Sequence, residues 1–197
     1  MKKLVLIIAL ALTGCLGFAQ KGPWFVEAGV SYGFYDRSGL GTNSEIIDLS
    51  YTSTVGGIKS TYQPTILPTF SLACGYKIPN TIIGVFLDAA WCYAYNNMYG
   101  GPSLLREDEH ILHVLPELRV YYIDDGNIRF YATLGAGIRY RYFSETFEGS
   151  TITNQDMRFS YQVSPFGVSF GEKWYLSLDL GMGTAWYFFR FGVGYKF

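Results

Sequence analysis

The sequence is poor in the residues on which many chemistries depend. It has three cysteines and two histidines in 197 residues, and charged residues make up only 16% of the chain. The formal net charge is −1, so no basic excess is present to bind nucleic acid. After the first twenty residues, no apolar run approaches the roughly 20 residues that a membrane-spanning helix requires. We therefore predict no nucleic-acid partner and no helical membrane domain, and we assign no cofactor and no metal.

Aromatic residues and glycine are the abundant classes. Aromatics make up 18% of the chain, there are 23 glycines, and the mean hydropathy is +0.14. This near-zero value fits a protein whose residues alternate between an apolar and a polar environment. The length is that of a single domain.

The first nineteen residues have the features of a secretory signal peptide. Met1-Lys2-Lys3 precedes an apolar run, and Gly17 and Ala19 are small residues at the two positions that signal peptidase inspects. We predict cleavage after Ala19 and a mature domain at 20–197. The alternative is a lipoprotein box ending at Cys15.

Alternation with a period of two predicts eight β-strands. In the fifth, Leu134 and Ile138 lie on one face, whereas Arg129, Arg139 and Arg141 lie on the other. An arginine near the bilayer midplane costs about 2–4 kcal/mol, so the arginine face cannot meet lipid. The predicted strands are 24–34, 65–77, 83–96, 112–122, 128–142, 158–165, 174–183 and 186–197, with a bulge at 166–168. Three prolines on the predicted lipid-facing side should form further local bulges: Pro68, Pro116 and Pro165.

The connections between these strands differ in length. Long connections are predicted at 37–63, 97–109 and 144–156, and tight turns separate the other strands. Long and short connections alternate except at the seventh, 183–185, which is short where a long one is expected. Short periplasmic turns and long outer loops are typical of bacterial outer-membrane barrels, as is an even strand number. Both termini are therefore predicted to be periplasmic. A soluble β-sandwich explains the alternation equally well, but not the aromatic residues that collect at both strand ends.

In the last twelve residues, WYFFRFGVGYKF, the two-residue period places Trp186 and Phe188 on the inner face with Arg190. The same twelve residues carry a family resemblance. Arg190, Gly192, Tyr195 and Phe197 form a pattern that resembles the C-terminal signal by which outer-membrane barrels are recognised. The chain resembles the small OmpA/OmpX-like outer-membrane proteins. This resemblance implies an all-β fold, namely an eight-stranded antiparallel up-and-down transmembrane β-barrel, in the outer membrane of a Gram-negative bacterium. It also implies outer-membrane lipid and the barrel-assembly machinery as partners.

The inward-facing charges predict what fills the barrel. An eight-stranded barrel has an interior just wide enough for side chains, so we expect a plugged lumen held by salt bridges and hydrogen bonds. The alternative is a narrow channel lined by arginines, which would prefer anions. The predicted lumen charge network consists of Glu27, Lys77, Asp88, Glu117, Arg119, Arg129, Arg139, Arg141, Asp179, Arg190 and Lys196. The seven bases outnumber the four acids, so some cations are left without a carboxylate.

The two histidines bear on catalysis. His110 and His113 are three residues apart on a strand and should point to opposite faces, which argues against a shared metal ion. No His-x-Ser pair resembling that of lipid A deacylases occurs, so we predict no enzyme; a lipid-modifying enzyme is the second alternative. The acidic cluster at 106–109 is interpreted as a solvated loop.

The remaining features are two cysteines and the first long connection. Reflection through the turn at Pro79 places Cys74 opposite about residue 85, so we predict no disulfide with Cys92. Connection 37–63 is rich in Gly, Ser and Thr, and connections of this length are usually functional. We expect a structural or adhesive role, with an extracellular or envelope protein as partner through this loop.

Overall fold

A closed β-barrel is the core of the molecule. The structure, a computed structural model, describes residues 23–32, 51–55, 58–64, 68–100, 103–147, 150–186 and 188–197. Within these ranges the chain forms ten strands: β1 Trp24–Tyr32, β2 Tyr51–Val55, β3 Ile58–Pro64, β4 Pro68–Lys77, β5 Ile83–Gly100, β6 Ser103–Asp124, β7 Ile128–Phe147, β8 Ser150–Phe170, β9 Trp174–Gly183 and β10 Phe188–Lys196. No helix in the described ranges is long and apolar enough to cross a membrane.

Eight of these strands close into a ring. The ring runs β1, β4, β5, β6, β7, β8, β9, β10 and returns to β1, and every neighbouring pair is antiparallel. Apart from the inserted β2–β3 hairpin, ring order follows chain order, so the topology is up-and-down. The predicted eight-stranded antiparallel barrel is confirmed. Closure leaves no strand edge in the barrel wall, which matters because hydrocarbon offers no hydrogen-bond partner to a free edge.

The two faces of the wall have opposite chemistry. Leu134 and Ile138 are 57% and 48% exposed on the outside of β7, whereas Arg139 is 3% exposed on the inside. The same alternation holds in β9, where Leu176 is exposed and Asp179 is buried. An apolar exterior around a polar interior is the arrangement that a bilayer requires.

Both ends of the barrel wall meet at the rim that carries the tight turns. The backbone N–H of Phe197 donates to the carbonyl of Trp24 (3.0 Å), which joins β10 to β1. Two of these turns contain residues with left-handed backbone, Asn80 (φ 59°) and Gly126 (φ 67°). By the loop-length rule this is the periplasmic rim. Aromatic pairs surround it, including Trp24 with Tyr76 (ring centroids 5.2 Å apart).

At the opposite rim, the predicted loops are wrong in part, because they contain strands. Connections 97–109 and 144–156 are strand for most of their length, since β5 runs to Gly100, β6 begins at Ser103, β7 runs to Phe147 and β8 begins at Ser150. β2 and β3 lie within connection 37–63, and β3 pairs with residues 96–100 of β5. These segments lie beyond the lipid, where either face of a strand can be polar, so alternation does not reveal them. Residues 37–50 lie outside the described residues, as does the predicted signal peptide, 1–19.

The three prolines behave differently from one another. Pro165 lies at a one-residue register shift that affects the pairing of β8 with both neighbours, which confirms the bulge predicted close by at 166–168. At Pro116 the prediction is wrong, because the β6–β7 pairs Val114–Ile138 and Glu117–Gly135 keep the same register. Pro68 is the first residue of β4, where a missing N–H is tolerated.

Register also locates the cysteines. Cys74 lies opposite Leu87 rather than residue 85, and Cys92 lies opposite Thr69. The two cysteines form no disulfide.

The lipid-facing surface generates a stability prediction. Replacing Leu134 by arginine should lower the free energy of unfolding in phospholipid vesicles by about 2–4 kcal/mol, because the charge enters the apolar belt. The matched control is Ile152→Arg, since Ile152 is 62% exposed on the outer part of β8 beyond that belt. The control should change stability by less than about 0.5 kcal/mol. Urea titration measures both variants, and equal effects would contradict the assigned membrane position.

Candidate functional site: the barrel lumen

Arg190 lies at the centre of the lumen and contacts three carboxylates. Its Nε donates to Asp179 Oδ2 at 3.0 Å, its Nη1 to Asp88 Oδ2 at 3.1 Å and its Nη2 to Glu27 Oε1 at 3.2 Å. The four residues come from β10, β9, β5 and β1, so the cluster joins distant parts of the ring. We call these four residues the Arg190 cluster. All four side chains are almost completely buried.

Arg119 extends this cluster. Its Nη1 lies 3.6 Å from Glu27 Oε2, so Glu27 interacts with two cations. The guanidinium group also lies over the rings of Phe86 (4.1 Å) and Tyr131 (4.3 Å). Cation–π contact in a desolvated setting adds to the stabilisation of the charge. Two arginines thus face three carboxylates, and the charges in the middle of the barrel are nearly balanced.

Glu117 is buried in the lumen but forms no ion pair with the described residues. Its Cγ would lie 3.0 Å from a Cβ at Gly135, which explains why the neighbouring strand has glycine there. The sequence placed Glu117 correctly on the inner face. Its membership of the lumen charge network stays a prediction, because Glu117 is buried near these charges while both arginines of the middle lumen lie against other carboxylates.

The periplasmic end of the lumen is closed by aromatic rings and Arg129. Phe25 packs between Phe86 and Tyr175, with ring centroids 5.9 and 6.0 Å away. Arg129 donates from Nε to Ser169 Oγ (3.0 Å) and from Nη2 to the carbonyl of Gly171 (2.8 Å). Both of these acceptors of Arg129 are neutral groups.

The two predicted lysines lie at this rim and not deep in the lumen. Lys77 forms an ion pair with Asp124, and both side chains are partly exposed. Lys196 is half-buried, with Nζ 5.9 Å from the centroid of the Phe25 ring. Both residues close the periplasmic mouth rather than fill the centre.

A second charged group lies at the outer end. Arg141 Nη1 is 3.5 Å from Glu109 Oε1, and Arg141 Nε donates to Asp156 Oδ1 at 3.2 Å. Arg158 Nε donates to the other oxygen of Asp156 at 2.9 Å. Glu109 is completely buried, so its interpretation as part of a solvated loop is wrong. Continuing the alternation from His113 through Ile111 to Glu109 would have placed it on the lumen face.

The turn before β10 also fills the outer half of the lumen. Trp186 is 2% exposed and forms an apolar cluster with Leu115 and Ala185. Its backbone N–H donates to Gln162 Oε1 at 3.3 Å. Phe188, predicted on the inner face, is instead 56% exposed, because its positive φ of 72° breaks the strand alternation at that residue.

The structure brings together a serine and a histidine that are distant in sequence. His113 Nδ1 lies 2.8 Å from Ser160 Oγ, and Ser160 Oγ lies 2.7 Å from Thr184 Oγ1. Ser160 is completely buried inside the barrel, so a membrane lipid has no access to its hydroxyl. His110 points the other way and stacks against Trp91 (6.0 Å), as the spacing predicts. In the described part of the chain, no three His, Cys, Asp or Glu side chains are grouped so as to hold a metal ion.

The four residues of the predicted assembly signal divide between the two faces of β10. Arg190 belongs to the lumen cluster, and Gly192 lies beside Ser177, whose Oγ would be 2.4 Å from an added Cβ. Tyr195 and Phe197 face outward, where their rings lie 4.9 Å apart, and Tyr195 is also 4.9 Å from Trp174. Recognition of these residues by the assembly machinery stays a prediction.

The chain is similar to several solved structures at low TM-scores. The attachment invasion locus protein Ail of Yersinia pestis matches with a TM-score of 0.48 and 15% identity, over 90% of this chain and 100% of that one. Ail in complex with the heparin analogue sucrose octasulfate matches with a TM-score of 0.49 and 16% identity, over 90% of this chain and 100% of that one. The translocator domain of the autotransporter NalP from Neisseria meningitidis matches with a TM-score of 0.33 and 11% identity, over 98% of this chain and 96% of that one.

No protein-family model and no curated protein matches the sequence. The fold assignment depends on this chain's own strand pairing, since the similarities are low. That pairing and the apolar exterior give a small outer-membrane β-barrel, OmpA/OmpX-like in architecture, as predicted.

The Arg190 cluster generates the second stability prediction. Replacing Arg190 by methionine leaves three buried carboxylates around an uncharged side chain and should lower the free energy of unfolding by about 3–5 kcal/mol. The matched control is Arg158→Met, because the Arg158 side chain is 42% exposed and its ion pair should contribute less than about 1 kcal/mol. Urea titration of protein refolded in vitro excludes any effect on assembly in the cell. Equal losses in the two variants would contradict a central role for Arg190.

Proposed function

We propose that the chain is a non-conducting, non-enzymatic outer-membrane barrel that binds a protein partner through its extracellular β-structure. The observation that carries this proposal is an open strand edge beyond the membrane. β8 pairs with β7 from residue 150 onward, but its pairing with β9 begins only at Gln162. Residues 150–161 of β8 therefore have one side without a strand partner among the described residues.

The direction of the free backbone groups can be derived. Tyr161 N–H donates to Thr184 Oγ1, and the Tyr161 carbonyl accepts from Thr184 N–H, so both backbone groups of Tyr161 point away from β7. Backbone groups alternate sides along a strand. The N–H and C=O groups that face the open edge are thus those of Thr151, Thr153, Gln155, Met157 and Phe159. Such an edge can accept an added strand from another protein.

The open edge belongs to a larger sheet. The outer parts of β5, β6, β7 and β8 pair in that order, and β3 and β2 continue the sheet beyond β5. This sheet gives the partner-binding surface a rigid support. The sequence predicted instead that the partner binds to connection 37–63 as a loop. Connection 37–63 contributes β2 and β3 to the same surface.

Two observations on the lumen support the non-conducting and non-enzymatic parts of the proposal. Apolar clusters close it on either side of the Arg190 cluster, Phe25 with Phe86 and Tyr175 below, and Leu115 with Ala185 and Trp186 above. The buried His113–Ser160 pair has no access to a lipid substrate.

A proline variant tests the open edge. Thr153→Pro removes one free N–H donor without breaking a barrel hydrogen bond, so the protein should fold normally but lose partner binding at least about tenfold. Thr153→Ala keeps the N–H and should bind like wild type. The assay measures binding of a panel of extracellular and envelope proteins to barrels in vesicles, with a third variant lacking residues 37–63. A partner that binds Thr153→Pro and wild type equally well would argue against strand addition.

Planar-bilayer recording tests the closed lumen. The refolded protein should show no stepwise conductance, because ion-paired charges and apolar clusters obstruct the path. A steady anion-selective current that falls in Arg139→Ala or Arg141→Ala would instead establish the channel alternative.

A further inference from the structure

Arg139 is a buried lumen arginine with neither an ion pair nor a hydrogen-bond acceptor among the described residues. Its side chain is 3% exposed, and its Nε and Nη2 are buried without a hydrogen-bond partner. Arg119 also has Nε and Nη2 without an acceptor, but its Nη1 lies 3.6 Å from Glu27 Oε2. A buried cation without a counter-charge is strongly destabilising unless an anion pairs with it.

The groups around Arg139 provide no negative charge. Its cross-strand neighbours on the same face are His113 on β6 and Arg158 on β8. The next carboxylate on β8 is Asp156, two residues further along the strand, or about 7 Å away. On β6, Glu109 and Glu117 each lie four residues from His113, in opposite directions. Both oxygens of Asp156 already accept from Arg141 and Arg158, and Glu109 Oε1 contacts Arg141.

The two unpartnered nitrogens also have a defined geometry. Nε and Nη2 lie on the same edge of a guanidinium group, and their parallel N–H bonds match two oxygens of one oxyanion. The structure fills this edge at two other buried arginines. Arg190 directs it at Asp179, and Arg129 directs it at Ser169 and Gly171. At Arg139 and Arg119 this edge has no protein acceptor, but the charge of Arg119 is stabilised by Glu27 and by two aromatic rings, whereas that of Arg139 is not.

We propose that Arg139 binds one small free oxyanion, of the phosphate or sulfate class, in the outer half of the lumen. Access is from the extracellular side, because Arg158 on the same level of the wall has a side chain that is 42% exposed. Arg141 and Arg158 add positive potential along this route. The barrel wall separates the site from membrane lipid, which makes a lipid phosphate a poorer source. This inference is independent of partner binding at the open edge of β8.

The test uses the full refolded protein in a glucoside detergent without phosphate, sulfate or added lipid. Equilibrium dialysis with radiolabelled phosphate should show one phosphate bound per chain, and phosphate should raise the urea midpoint above that in chloride of equal ionic strength. Arg139→Gln should weaken phosphate binding about tenfold or more, the loss expected for charge-assisted hydrogen bonds. Without phosphate, this variant should be at least as stable as wild type, since it removes an unpaired charge.

The matched control is Arg129→Gln, another buried arginine of β7 whose Nε and Nη2 already have acceptors. It should retain phosphate binding whatever its stability, and folding of each variant is checked by heat-modifiable gel mobility. Arg139→Lys keeps the charge but lacks the two-nitrogen edge, so it should fold and bind phosphate more weakly. Full binding by Arg139→Gln, equal losses in both glutamine variants, or binding that requires added phospholipid would overturn the proposal.

Discussion

The whole molecule depends on one constraint, that hydrocarbon cannot form hydrogen bonds or solvate charge. The constraint requires a closed strand ring and keeps every charged side chain of the membrane region on the inner face. Charges confined to a narrow interior must then find one another. The Arg190 cluster meets this requirement by joining four strands through a single guanidinium group. Barrel closure and the pairing of charges in the lumen therefore both follow from the constraint that hydrocarbon imposes.

Where this constraint acts, the sequence predicts the structure well. β9 and residues 128–142 of β7 follow the alternation, and both the existence of these strands and the face of each residue could be predicted. Beyond the lipid the constraint ends, and the prediction fails there. The outer parts of β5 to β8 were interpreted as loops because polar residues on both faces leave no two-residue period. The predicted face of Phe188 was also wrong, because a left-handed backbone at this residue changes the direction of the side chain.

Ion pairing could not be predicted from the sequence, although membership of the inner face could. Contacts such as Arg190 with Asp88 cross the barrel and depend on strand stagger and side-chain length. Arg129 uses a hydroxyl and a carbonyl, and Glu117 and Arg139 have no ionic partner among the described residues. Composition gives the number of charges, but only geometry shows which are compensated. That difference separates a structural arginine from one that can bind a ligand.

The central claim is that the apolar face of the wall contacts lipid and the charged face does not. Spin labels at successive positions 132 to 139 of β7, in protein refolded into bilayers, measure this directly through collisions with dissolved oxygen. The account predicts high oxygen accessibility at Ala132, Leu134, Ala136 and Ile138 and low accessibility at the positions between them. Accessibility of the opposite phase, or without a two-residue period, would contradict it.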